Sequence, residues 1–92
     1  MILSFRCGDT QALYEGERIA RFANIRTVAE RKLQQLDSAA TLSFLRAPPG
    51  NRLEALGGDR SGQYSIRIND QWRLCFVWTA KGINNVEIVD YH

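Results

Sequence analysis

Histidine is almost absent from this 92-residue chain: the only one, His92, is the last residue. The two cysteines, Cys7 and Cys75, lie far apart and outside any C-x-x-C spacing. One imidazole, two isolated thiols and scattered acids do not supply the converging donors that a metal site requires, so neither a metal nor another cofactor is expected. A disulfide framework is equally unsupported, and both thiols read as reduced residues embedded in strands. No stretch approaches the roughly 18 apolar residues that cross a bilayer. The opening MILSFRCGDT has too short an apolar run and no cleavage-site pattern for a secretory signal. A cytoplasmic protein with no membrane role is the expectation. The motifs GxSxG, HExxH and GxxxxGK[ST] are missing, which removes the serine-hydrolase elbow, the zincin helix and the P-loop. Internal repeats and low-complexity segments are missing too.

Excess charge is also scarce. Twelve basic against ten acidic residues leave a formal net charge of +2, too little for electrostatics alone to declare a nucleic-acid binder. Arginine supplies ten of the twelve cations, however, and its guanidinium forks a phosphate where lysine acts as a point charge. An apolar fraction of 45% and a charged fraction of 24% are ordinary for a globular protein, and the length fits one domain over residues 1–92.

Periodicity organises the chain into helices followed by strands. Ile2 to Arg6 form a short apolar run, read as a strand closed by Gly8. Asp9 is the expected cap of a short helix over DTQALYEG, with Gly16 as its stop. From Asn24, apolar residues recur at three- and four-residue spacing through Ile25, Val28, Ala29, Leu33, Leu36 and Ala40, which predicts an amphipathic helix of about four turns. Ser43 to Ala47 allow one further turn before Pro48-Pro49-Gly50 stops it. Arg52 to Leu56, QYSIRI, WRLCFVW and INNVEIVDYH then read as strands joined by hairpin-length loops, which pair antiparallel.

Register decides which side chains share a face. A three-residue loop of Asn69, Asp70 and Gln71 sets Tyr64, Ile66 and Ile68 on one face with Trp72, Leu74, Phe76 and Trp78, a core. The opposite face carries Gln63, Ser65, Arg67, Arg73, Cys75 and Val77, a mixed surface with two arginines side by side. A two-residue loop would instead bury the Arg73 guanidinium among apolar groups, which is the costlier arrangement.

What chemistry remains is metal-independent proton transfer beside phosphate stabilisation. Cleaving RNA through its own 2′-hydroxyl needs a proton acceptor, a proton donor for the departing 5′-oxygen, and cations over the phosphate. His92 titrates near neutrality and suits either proton role. Arg73, with Arg60 and Arg67, could hold the phosphate; Tyr91 could donate a hydrogen bond or stack on a base, and Asp90 could orient a neighbour. From the residues alone, a plain strand end with a solvated Asp90 and a surface Arg73 stays open beside this reading.

The stretch GDRSGQYSIRINDQWRLCFVW, the terminal VEIVDYH, the helix text VAERKLQQLDSA and the connector LRAPPGNRLEAL together resemble the HigB branch of the RelE-like toxins of type II toxin–antitoxin systems. That resemblance implies an α+β, RelE-like fold with two or three helices packed on one face of a small twisted, mainly antiparallel sheet. It implies a ribosome-dependent messenger-RNA endonuclease that cuts in the A site of the 30S subunit. It also implies a helix-turn-helix antitoxin of the HigA kind as partner, with operator DNA reached only through that complex. Arg73, Asp90, Tyr91 and His92 match active-site positions of the family. One departure stands out: relatives often read LKGDR before the second strand, whereas here Gly57 replaces the lysine, and Arg60 is the candidate substitute cation. Arg18, Arg21, Arg26, Arg31 and Lys32 on the helical side would then contact ribosomal RNA phosphates. Two other readings stand beside this one: a ParE-like inhibitor that poisons DNA gyrase by binding, and a co-repressor acting with its antitoxin.

Overall fold

A computed structural model describes residues 1–90. The elements are α1 (Gly8–Tyr14), α2 (Arg26–Ser38), β1 (Glu54–Ala55), β2 (Tyr64–Arg67), β3 (Trp72–Thr79) and β4 (Gly82–Asp90), with 3-10 turns at Ala20–Ile25, Leu42–Arg46 and Gly58–Arg60. The four strands form one antiparallel sheet in the order β1-β2-β3-β4, and the helices bury their apolar sides against one face of it, an α+β arrangement as the resemblance implies.

Helix α2 and the residue before it supply the expected stripe: Ile25, Ala29, Leu33 and Leu36 are all buried. Its ends differ from the periodic reading. The six residues before it wind as a 3-10 turn, which buries Phe22 completely. The helix stops at Ser38 and Ala39 is extended, so Ala39 turns inward and Ala40 is exposed. Lys32 also departs from expectation. Only 6% exposed, it donates from Nζ to Oδ1 of fully buried Asn51, so it is withdrawn from any RNA surface. Burial, with Arg31 and Arg67 nearby, holds its ammonium below the ordinary lysine pKa.

In α1 the capping position falls on Cys7, without a side-chain cap. Asp9 is instead inside the first turn, where its carboxylate lies 3.4 Å from the Arg21 guanidinium, because the chain enters the helix two residues earlier than the Asx pattern suggests. Gly16 ends the helix as expected, at φ 97°, with its N–H donating to the Leu13 carbonyl. Thr10, fully buried, accepts from the Ile88 amide at 3.0 Å and ties α1 to β4.

The β2–β3 register is the one derived from the three-residue loop: Tyr64 opposes Phe76, Ser65 opposes Cys75, Ile66 opposes Leu74 and Arg67 opposes Arg73. Asn69 secures that loop by accepting from the Gln71 and Trp72 amides at 2.9 and 2.8 Å. Ile66, Leu74 and Phe76 are fully buried in one core cluster with Phe22, Leu33 and Leu36, and burying each such side chain is worth about 1.5–3 kcal/mol.

Two edges depart from the strand reading. Residues 2–6 do not form a regular strand; they run beside β4 through isolated parallel bridges, Ile2 with Ile83 and Phe5 with Val86. The Arg52–Leu56 segment narrows to the two residues of β1, since Arg52 takes a left-handed φ of 46° that breaks extension. A bulge in β4 has wider consequences. Cys75 opposes Glu87 but Val77 opposes Asn84, so β4 holds one residue too many, and Asn85 absorbs it at φ 55°. The bulge shifts the alternation so that Val86 and Ile88 enter the core and Glu87 turns to the opposite face.

Candidate active site

The face of the sheet away from the helices carries a row made by register: Glu54 on β1, Ser65 on β2, Cys75 on β3 and Glu87 on β4. Beside it lies a second row, Arg67, Arg73 and Val89. Sequence reasoning treated this face as mixed surface, yet Ser65 and Cys75 are fully buried and Arg73 is only 8% exposed.

Arg73 is buried because its guanidinium is supplied with acceptors. Nε donates to Ser65 Oγ at 2.8 Å and Nη2 to the Arg52 carbonyl at 2.7 Å, while Glu54 Oε2 lies 3.7 Å away. The left-handed Arg52 belongs to this arrangement: its carbonyl faces Arg73, and the preceding carbonyl, of Asn51, accepts from the Arg67 amide at 2.6 Å. A guanidinium held by Ser65 and by the Arg52 carbonyl has a fixed direction, the kind of preorganised donor that can stabilise a developing negative charge.

Arg60 reaches the same face from the turn after β1. Its Nη1 donates to Glu87 Oε1 at 2.8 Å and to Gln63 Oε1 at 3.1 Å. Arg6 approaches the same Glu87 oxygen at 4.0 Å. Arg67, next to Arg73 in register, forms an ion pair with Asp70 in the β2–β3 loop. Asp90 is placed differently. It opposes Trp72 rather than Arg73, so alternation sets it on the helix side at the strand end, where it accepts from Gln71 Nε2 at 3.1 Å. Tyr91 and His92, the remaining expected site residues, lie outside the described residues.

The structure therefore gathers Arg60, Arg67 and Arg73 on one face and adds Ser65, Glu54, Glu87 and Arg6 to them. Ser65 was legible from the register. Glu87 was missed because simple alternation from Ile83 puts it in the core; the apolar spacing Ile83, Val86, Ile88 was the signal of a phase change. Cys75 sits among these charges, but burial, with Glu87 beside it, pushes its thiol up despite the opposing Arg60 and Arg73, so it stays protonated and is no nucleophile at neutral pH. Among the described residues no group of three histidine, cysteine or acidic side chains is arranged to hold a metal ion, and no helix is long and apolar enough to cross a membrane.

A helix-covered, four-stranded antiparallel sheet is the fold of the RelE-like toxins. The fold is similar to chains of the YoeB-YefM complex from Staphylococcus aureus, at TM-score 0.61 and 19% identity over 100% of this chain and 98% of that one. A second structure, a heterotetrameric YoeB-YefM toxin-antitoxin complex from the same organism, gives TM-score 0.60 at 18% identity, again over 100% and 98% of the two chains. Within that class the chain belongs to the HigB-like toxins, described as RelE-like toxins of type II toxin-antitoxin systems, whose family profile matches residues 4–92. The chain is 42% identical to Toxin HigB-1 of Vibrio cholerae serotype O1 over 80 residues, 85% of this chain and 84% of that protein. An uncharacterized protein of Haemophilus influenzae is 36% identical over 64 residues, 70% of this chain and 63% of that protein.

Proposed function

We propose that this type II toxin is a ribosome-dependent endoribonuclease that cuts messenger RNA in the A site of the 30S subunit. It acts in the cytoplasm and is neutralised by a helix-turn-helix antitoxin of the HigA kind, through which alone it reaches operator DNA. The observation that carries the reading is the doubly anchored Arg73, a fixed cation on a sheet face that also holds Arg60 and Arg67. In this reading Arg73 stabilises charge on the scissile phosphate, Arg60 and Arg67 bind the flanking backbone, and His92 with Tyr91 moves the protons, while Asp90, on the helix side of the strand end, orients a neighbour and does not touch the phosphate. Dependence on the ribosome follows from the scarcity of acid–base groups: orienting the 2′-hydroxyl in line with its phosphate is worth several kcal/mol, and the ribosome provides that orientation. Arg18, Arg21 and Arg31, exposed on the helical side, provide phosphate contacts to ribosomal RNA.

The test is to incubate one messenger RNA with the protein, free and on programmed ribosomes, and map breaks by primer extension. Cuts confined to the A-site codon and lost in His92→Gln are expected. Growth inhibition without cuts in either setting would overturn the reading and favour a gyrase inhibitor.

A further inference from the structure

Glu87 is the residue on the open face whose position the nuclease reading leaves unused. The bulge at Asn85 aims it at the arginines, and its side chain, 14% exposed, is flanked by Arg60 at 2.8 Å and Arg6 at 4.0 Å on the same carboxylate oxygen. Two guanidinium groups converging on one anionic oxygen form the arrangement that a phosphate oxygen takes. The pair is partly buried, Arg60 being 33% exposed, so salt screens it less than a surface pair. Cys75, directly opposite Glu87, senses Glu87, Arg60 and Arg73 together, which puts these charges in one electrostatic neighbourhood.

Resting on the nuclease reading above, we infer that Glu87 holds the place of a substrate phosphate between Arg60 and Arg6, and so makes the site selective for positioned RNA over RNA free in solution. A phosphate entering the site must displace the carboxylate. Free RNA gains little from that exchange, because the condensed cation that its phosphate releases is offset by the cation that the displaced Glu87 carboxylate takes up. RNA held by other contacts, as on a ribosome, presents its phosphate at high effective concentration and drives the exchange.

The experiment compares the wild type, Glu87→Gln, Arg60→Gln and the double variant. Each is titrated with a short single-stranded RNA methylated at every 2′-oxygen, with inorganic pyrophosphate as competitor, across a series of salt concentrations. Glu87→Gln is expected to bind the RNA about tenfold tighter, the effect of removing one competing charge at contact distance. Its salt slope should steepen by about 0.7, the value for one additional phosphate on a single strand. Pyrophosphate should compete more strongly against it, and the double variant should return to wild-type affinity. Unchanged or weaker binding by folded Glu87→Gln would overturn the inference. Should that variant fail to fold, Glu87→Asp withdraws the carboxylate by one methylene, and absence of any gain there overturns it equally. Cleavage on programmed ribosomes, measured in parallel, separates the two levels. A-site cuts without an affinity gain sink the role of Glu87 alone, and an affinity gain without cuts by any variant sinks the nuclease reading alone.

Discussion

On the helix side of the sheet, Leu74 and Phe76 are fully buried among Phe22, Leu33 and Leu36. On the other side their chain neighbours Arg73 and Cys75 are buried nearly as deeply, but among a hydroxyl, a backbone carbonyl, two carboxylates and two further guanidinium groups. Equal burial thus means two different things in one strand. The apolar face stabilises the fold by excluding water without directional demands. The polar face survives burial because each charged group has partners, and unpaired burial would be costly. A buried arginine of this kind depends on every partner around it, whereas a buried leucine depends only on being dry.

The largest effects are expected where that contrast is broken on the apolar side. Phe76→Ala removes a fully buried ring and should cost about 3–5 kcal/mol of stability. Thermal denaturation checks this, and an unchanged melting temperature would mean that the ring is not part of the core. Gly82→Ala should cost about 1–3 kcal/mol, since overpacking forces backbone movement. A Cβ there would lie 2.7 Å from Leu3 Cγ and 2.8 Å from the Met1 carbonyl oxygen, at a φ of 152°. The same melts report it, and a variant as stable as the wild type would show that residues 1–3 do not press on β4.

The smallest effect concerns the two thiols. Burial alone pushes the Cys7 thiol up, but hydrogen bonds from Thr10, Asp9 and Arg21 outweigh it and hold the thiol below its ordinary pKa, whereas that of Cys75 is raised. Timed alkylation of the native protein, read by mass spectrometry, should label Cys7 first and Cys75 only on unfolding. Equal labelling would show that the polar face is open to reagent.

Much of this was legible in the sequence, for identifiable reasons. The β2–β3 register followed from the cost of burying Arg73 beside Tyr64 and Ile66, and α2 from a stripe that no strand period reproduces. Other features depend on partners distant in the chain. Burial of Arg73 rests on the Arg52 carbonyl, turned by a left-handed residue, and burial of Lys32 on Asn51, 19 residues onward. The placement of Glu87, and of Asp90 on the other side, depends on one inserted residue in β4 that reverses every later position. Local pattern carries no information about a carbonyl that arrives from another element, so those parts of the site became visible only in three dimensions.

The measurement that bears most directly on the account is the single-turnover rate of A-site cleavage by Arg73→Lys on programmed ribosomes. Lysine keeps the charge but cannot make the fork to Ser65 and the Arg52 carbonyl. The expected rate is reduced by about a hundredfold or more, in the range found on removing one oriented transition-state donor, with ribosome binding retained. Cleavage at the wild-type rate would contradict it, and would leave the anchored guanidinium a structural element of the sheet.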